Sequence, residues 1–148
     1  MQKRILPPTY LLIALVVMLA LHFLLPLAQI IPAPWTLAGL APLALGIVVN
    51  VIADGLFHKA DTSVKPGDEP KVLVTQGPFR YSRNPMYLGF VLVLAGIGIL
   101  LGSLTPLVVI PIFALLIDRQ FIQLEEQMLR ATFGRTWQDY ACRTRRWL

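Results

Sequence analysis

The sequence predicts an all-α protein: an integral membrane bundle of four transmembrane helices in a single domain, with a cytoplasmic loop and a C-terminal amphipathic helix. Three observations carry that reading. Of the 148 residues, 56% are hydrophobic and only 14% charged, against about 25% charged in soluble domains. Apolar stretches near bilayer-crossing length recur along the chain. The turns at residues 28–36 and 102–105 hold no charge, so the charges fall into separate blocks.

The first span is residues 10–27, an apolar run interrupted only by His22 and Pro26. Lys3 and Arg4 precede it, and Pro7 and Pro8 suit a helix start. A cleaved signal peptide shares this pattern, but no Ala-x-Ala-like site follows, so the span is read as retained. The second span, residues 37–56, has 20 residues, enough to cross a core of about 30 Å at about 1.5 Å per residue. Residues 86–117 form 32 positions without a charge, and as one helix they would run roughly 48 Å, too long for one crossing. Gly102, Ser103 and Pro106 sit in the middle of that run, which predicts two helices, about 86–101 and 106–124, joined by a tight turn. Gly98 and Gly102 form a small-xxx-small pair suited to helix packing.

The tail is expected to continue the fourth span. Phe121, Ile122, Leu124, Met128, Leu129 and Phe133 follow helical spacing, which places Asp118 and Glu125 two turns apart on one face. Glu126 and Arg130 stand at i,i+4 and can pair, and Gly134 is a stop signal.

The 13 basic residues divide into two before span one, five between spans two and three (Lys59, Lys65, Lys71, Arg80, Arg83) and six after span four. Under the positive-inside rule both termini and the loop at residues 58–83 are cytoplasmic, in a plasma or inner membrane. The net charge of +5 is thus a topology signal, with attraction to anionic lipid added. It is not read as a nucleic-acid footprint. The single cysteine, Cys142, excludes an internal disulfide. His22 and His58 are far apart and lack Cys or His neighbours, so no metal site is expected.

Chemistry concentrates in "GPFRYSRNPMYLGF", residues 77–90. A helix that begins at Pro85 or Met86 presents free N–H groups and a positive dipole end, with Arg80, Arg83 and Asn84 beside it. That arrangement suits a carboxylate or phosphate. Phe79, Tyr81 and Tyr87 offer faces for a planar base or a sulfonium cation, and Glu125 or Glu126 could accept from an ammonium. S-adenosylmethionine carries all of these groups. The competing reading is an interfacial anchor, since arginine and tyrosine at a membrane boundary commonly serve that purpose.

"LVTQGPFRYSRNPMYLG" followed by "EEQMLRATFGRTWQDYACRTRRWL" resembles the superfamily of isoprenylcysteine carboxyl methyltransferases and phospholipid N-methyltransferases. The family pattern is Arg-His-Pro-x-Tyr-x-Gly, a helical hairpin, then Glu-Glu, Phe-Gly and spaced Tyr and Arg residues. Here it reads Arg83-Asn84-Pro85-Met86-Tyr87-Leu88-Gly89, then Glu125-Glu126, Phe133-Gly134, Tyr140, Arg143 and Arg146. Asn84 replaces the usual His, so no titratable imidazole stands there. The resemblance implies an enzyme that binds S-adenosylmethionine through the backbone of Lys71, Val72, Leu73 and Val74, through Phe79, through the block Asn84, Pro85, Met86 and Tyr87, and through Glu125. Arg83, beside Asn84, is expected to complete the contact with the cofactor's carboxylate. It implies methyl transfer to a lipid-like or prenylated acceptor at the membrane. An arginine shortly before the glutamates contacts substrate in the carboxyl-methylating branch, and Arg119 is the nearest here.

Methyl transfer from a sulfonium is an in-line displacement, to which orientation alone supplies about 7–11 kcal/mol. Asn50, Asp54 and His58 form an i,i+4 stripe at the end of span two. Asp54 or His58 would be the base for an amine acceptor, whereas a carboxylate acceptor needs none. Two other classes compete: a membrane sterol reductase, with a related C-terminal region, and a small four-span transporter or scaffold without enzyme activity. The sterol reductases are far longer. A transporter would want a carboxylate inside the membrane, and none lies in spans one, three or four as far as Ile117.

Overall fold

Four helices account for most of residues 6–62 and 70–148, the part of the chain that the computed structural model describes. Lys3, Arg4 and Lys65 lie outside the described residues. The helices are α1 (Pro7–Leu24), α2 (Leu40–Lys59), α3 (Pro85–Leu101) and the long α4 (Leu104–Arg143). Among the described residues no strand forms, only two isolated bridges. Three segments are long and apolar enough to cross a membrane: α1, Trp35–Lys59 and α4. The 17-residue α3 is equally apolar but shorter.

The helix ends follow local chemistry. α1 stops at Leu24 rather than at 27 because Pro26 drives the preceding residue out of the α region: Leu25 has φ −138°, ψ 61°. α2 is entered through a 3₁₀ turn, Trp35–Gly39, and runs on to Lys59. α3 closes at Gly102 in the left-handed region, φ 71°, where a side chain would be strained.

Packing between α2 and α3 rests on glycines. A Cβ at Gly46 would lie 2.5 Å from the Gly89 carbonyl oxygen, and one at Gly96 would lie 2.7 Å from that of Gly39. The backbones approach so closely that no side chain fits between them. Gly98 also packs, as its sequence context predicts: a Cβ there would meet Leu107 of α4 at 2.6 Å and Met18 of α1 at 3.3 Å. Gly102 is not its packing partner but the cap of α3. Met18, Leu94, Ile117 and Ile122 are fully buried where α1, α3 and α4 meet.

The two uncharged turns are bound to each other at one end of the bundle. Ile30 and Ile31 N–H groups donate to the Gly102 carbonyl at 2.9 and 3.0 Å, and Leu104 N–H donates to Ala28 at 2.9 Å. The Thr105 hydroxyl donates to Leu25 O at 2.7 Å, and His22 Nδ1 meets Ser103 Oγ at 2.6 Å. These bonds occupy helix-end groups that lipid could not satisfy. The charged segments gather at the other end, where the 3₁₀ turn Gly77–Arg80 packs on α2 through Phe79 and Phe57, ring centroids 5.3 Å apart.

Two irregularities in α4 set the site. Residues Asp118–Ile122 form a π-helical turn, which inserts one extra residue into the helical count. Faces that would recur at i+7 therefore recur at i+8. Asp118 shares a face with Glu126, both reaching Arg146, and not with Glu125 as regular spacing predicts. The expected Glu126–Arg130 pair does not form, because Glu126 is taken up by Arg83 and Arg146. Gly134, expected to stop the helix, bends it instead (φ 49°, ψ −115°), and the helix resumes to Arg143.

Candidate functional site

Pro85 opens α3 at its first turn, and Asn84 is the N-cap residue. The Asn84 side chain does not cap the helix. Its Nδ2 donates to the Arg146 carbonyl at 3.1 Å, while its own N–H donates to Ser82 Oγ at 3.1 Å. The C-terminal segment crosses here as a strap. Arg83 N–H donates to Arg145 O at 2.9 Å, the Ser82 hydroxyl to Arg146 O at 3.2 Å, and Arg83 Nη1 to Thr144 O and Ala141 O at 2.5 and 2.9 Å.

An ion network locks the strap down. Arg83 Nε lies 3.0 Å from Glu126 Oε1, Arg146 Nη2 lies 2.6 Å from Glu126 Oε2, and Arg146 Nη1 lies 3.5 Å from Asp118. The Arg83 and Glu126 side chains are only 15% and 14% exposed. Burial alone would raise the Glu126 carboxyl, but hydrogen bonds and charge from Arg146 and Arg83 hold it below the usual carboxylate range.

Glu125, the next residue, has an opposite environment. The Tyr87 hydroxyl donates to its Oε1 at 2.6 Å and is its one donor among the described residues. Tyr87 is buried, with the rings of Phe90 and Phe121 each 6.3 Å away. Burial pushes the Glu125 carboxyl up to about 7, against the pull of the Tyr87 hydrogen bond. One glutamate is therefore neutralised by two cations. The other is half-buried with a neutral phenol and, among the described residues, no cation.

The remaining sequence-predicted residues are placed as follows. Phe79 is buried, and its carbonyl accepts from the Tyr140 hydroxyl at 2.7 Å, which ties the 3₁₀ turn to α4. Burial raises the Tyr140 phenol to about 12. Pro85 is buried, and Met86, Leu73 and Val74 are half-buried. Lys71 and Val72 are exposed, with Lys71 N–H donating to Thr62 Oγ1 at 3.1 Å. Asn50 turns toward Gly89, whereas Asp54 and His58 pair at 3.3 Å on an exposed part of α2. Arg119 is exposed on the π turn. The structure thus joins Arg83, Asn84, Pro85, Tyr87 and Glu125 in one assembly and leaves Asp54, His58 and Arg119 outside its hydrogen bonds. Among the described residues, no group of three or more His, Cys, Asp or Glu side chains could hold a metal.

Sequence reasoning missed Ser82, Thr144 and the anchoring role of Arg146. Two of those contacts are made by backbone carbonyls, which carry no residue signature.

A family model described as phospholipid methyltransferase matches residues 35–136. That range holds α2, α3 and α4 to just past Gly134, and so both motifs up to the bend. No curated protein and no solved structure matches the chain.

Proposed function

Because the chain belongs to the phospholipid methyltransferase family, we propose that it uses S-adenosylmethionine to methylate a lipid-like acceptor at the cytoplasmic face of a membrane. The observation that carries this reading is the contrast between the two adjacent glutamates. Glu126 has its charge balanced by Arg83 and Arg146, while Glu125 is half-buried beside Tyr87 and, among the described residues, pairs with no cation. A largely desolvated carboxylate with one neutral donor and no cation is costly, and an ammonium-bearing ligand removes that cost.

When bound, S-adenosylmethionine supplies an electrophilic methyl group on a sulfonium. Glu125 accepts hydrogen bonds from the ligand's α-ammonium. The free N–H groups at the start of α3 would hold its carboxylate, with Arg83 and Asn84, already engaged by Glu126 and the strap carbonyls, beside them. Tyr87 and Phe79 wall the adenosyl and sulfonium side, and the backbone of residues 71–74 closes the site from the loop. The acceptor arrives from the bilayer at the Tyr87 end. For an amine acceptor, Asp54 or His58 takes the proton. For a carboxylate acceptor, Arg119 orients it.

The test is cofactor binding to purified protein. Glu125→Gln is expected to weaken it by about 1.5–3 kcal/mol, the worth of a hydrogen bond to a charged group. Affinity should also follow the ionisation of Glu125. Burial pushes the carboxyl up to about 7, so affinity should level off above that pH and fall about tenfold per unit below it. The same shift acts oppositely on the fold. A raised carboxyl favours the folded state at low pH, and that contribution is lost as pH rises toward 7. Calorimetry that shows no binding by wild type, or a flat pH profile with an unaffected Glu125→Gln, overturns the assignment.

The proposed topology has four crossings with both termini inside. With the exposed Cys142 replaced by serine, a single cysteine at Leu104, the exposed residue of the turn at 102–105, should react only from the non-cytoplasmic side. Labelling from the cytoplasm would invert the orientation.

A further inference from the structure

Beside Glu126, and not lined by Tyr87, the helix bent at Gly134 brings Trp137, Gln127 and Arg130 around a cavity of about 340 Å³. Its walls carry three guanidinium groups, Arg83, Arg130 and Arg146, against one carboxylate, Glu126. Asp118, which is not part of the lining, reaches Arg146 at 3.5 Å and offsets one more charge. One positive charge remains in excess. Arg130 supplies it, since it makes no ion pair with any described residue.

The other two arginines are held before any ligand arrives. Glu126 and the strap carbonyls fix Arg83, and Glu126 with Asp118 fixes Arg146. Little side-chain freedom is then lost on binding. Fixed guanidinium groups with neutral amide donors beside them are the chemistry that recognises oxyanions. A cation is excluded, because the arginines outnumber the acids. The cofactor's ammonium therefore belongs at Glu125, which does not line this cavity.

The geometry points to a second binding site in this cavity, one that takes a phosphate-type oxyanion carried by a soluble molecule or by a lipid headgroup. Arg130 is its free charge, and Arg83 and Arg146 are its fixed walls. The inference shares Arg83 with the proposed cofactor site, but it stands on the cavity and not on the methyl-transfer reading.

Purified full-length protein in neutral detergent is titrated with inorganic phosphate by calorimetry. Saturable binding is expected. Arg130→Gln should weaken it about tenfold, as befits one lost charge-assisted hydrogen bond. Arg135→Gln removes an equal charge from an exposed position that does not line the cavity and should leave affinity unchanged. Arg130→Lys, which keeps the charge, should retain most of it. Glycerol 3-phosphate and dihexanoyl phosphatidic acid then separate the sources. Tighter binding of the lipid identifies a headgroup, and equal or weaker binding identifies a soluble ligand. Either result keeps the oxyanion site. Absence of saturable phosphate binding by wild type, or equal losses in Arg130→Gln and Arg135→Gln, overturns it.

Discussion

Glu126→Ala is expected to lower the stability of the purified protein by about 3 kcal/mol, the lower end of the cost of removing one partner from a buried ion pair. Three hydrogen bonds from two arginines converge on this carboxylate, two of them at 2.6 and 3.0 Å. Without it, Arg83 stays buried with only the Ala141 and Thr144 carbonyls as partners. Arg146 is 38% exposed and can turn to water, which keeps the loss from reaching the top of that range. The strap should loosen with it, because Arg146 is the side-chain anchor of residues 144–146. Thermal unfolding in detergent measures the loss, and a double-mutant cycle with Arg146→Ala measures the coupling. The pH dependence has a fixed sign. The folded-state carboxyl lies below its usual value, so its contribution is present above the ordinary carboxylate range and is lost as pH falls through the depressed value. An unchanged melting temperature in Glu126→Ala would mean that the network is solvated and holds nothing.

How much of this was legible in the sequence depends on where each signal resides. The four helices were, because hydropathy and Pro7, Pro85 and Gly102 mark their bodies and several of their ends, although the first was expected to run through Pro26. The clustering of Arg83, Asn84, Tyr87 and Glu125 was also visible, as two motifs at a family's separation. The π turn at Asp118–Ile122 was not. It adds a residue without any side chain that announces it, and it alone decides that Glu126 joins Asp118 while Glu125 turns to Tyr87. The strap was invisible for a related reason, since its acceptors at Thr144, Arg145 and Arg146 are backbone carbonyls. The glycine contact between α2 and α3 lay in between. Gly39 and Gly46, like Gly89 and Gly96, stand seven residues apart, a spacing that can be read on each helix. Only the fold pairs the two sets.

Tyr87→Trp is expected to abolish cofactor binding, a loss of at least about a hundredfold, beyond what one charged hydrogen bond is worth, while the protein still inserts and stays folded. An anchoring tyrosine would tolerate tryptophan, because both residues favour the membrane interface. Tyr87 stands in different surroundings. It is 7% exposed, its hydroxyl is committed to Glu125 at 2.6 Å, and Phe90 and Phe121 crowd its ring. An indole there needs more volume than the aromatic cluster offers. In the proposed reading the larger ring takes up the cofactor space beside Glu125. Its N–H also cannot reach the carboxylate with the geometry of the phenol. Tyr87→Phe separates shape from hydrogen bonding. It keeps the ring and removes the donor that lowers the Glu125 carboxyl, so the pH midpoint of cofactor binding should move upward while the plateau affinity at high pH changes little. The pair of variants therefore predicts two different failures at one residue, loss of the site in Trp and a displaced titration in Phe. If Tyr87→Trp binds S-adenosylmethionine as tightly as wild type and Tyr87→Phe leaves the pH profile in place, Tyr87 is an interfacial anchor and the cofactor site lies elsewhere.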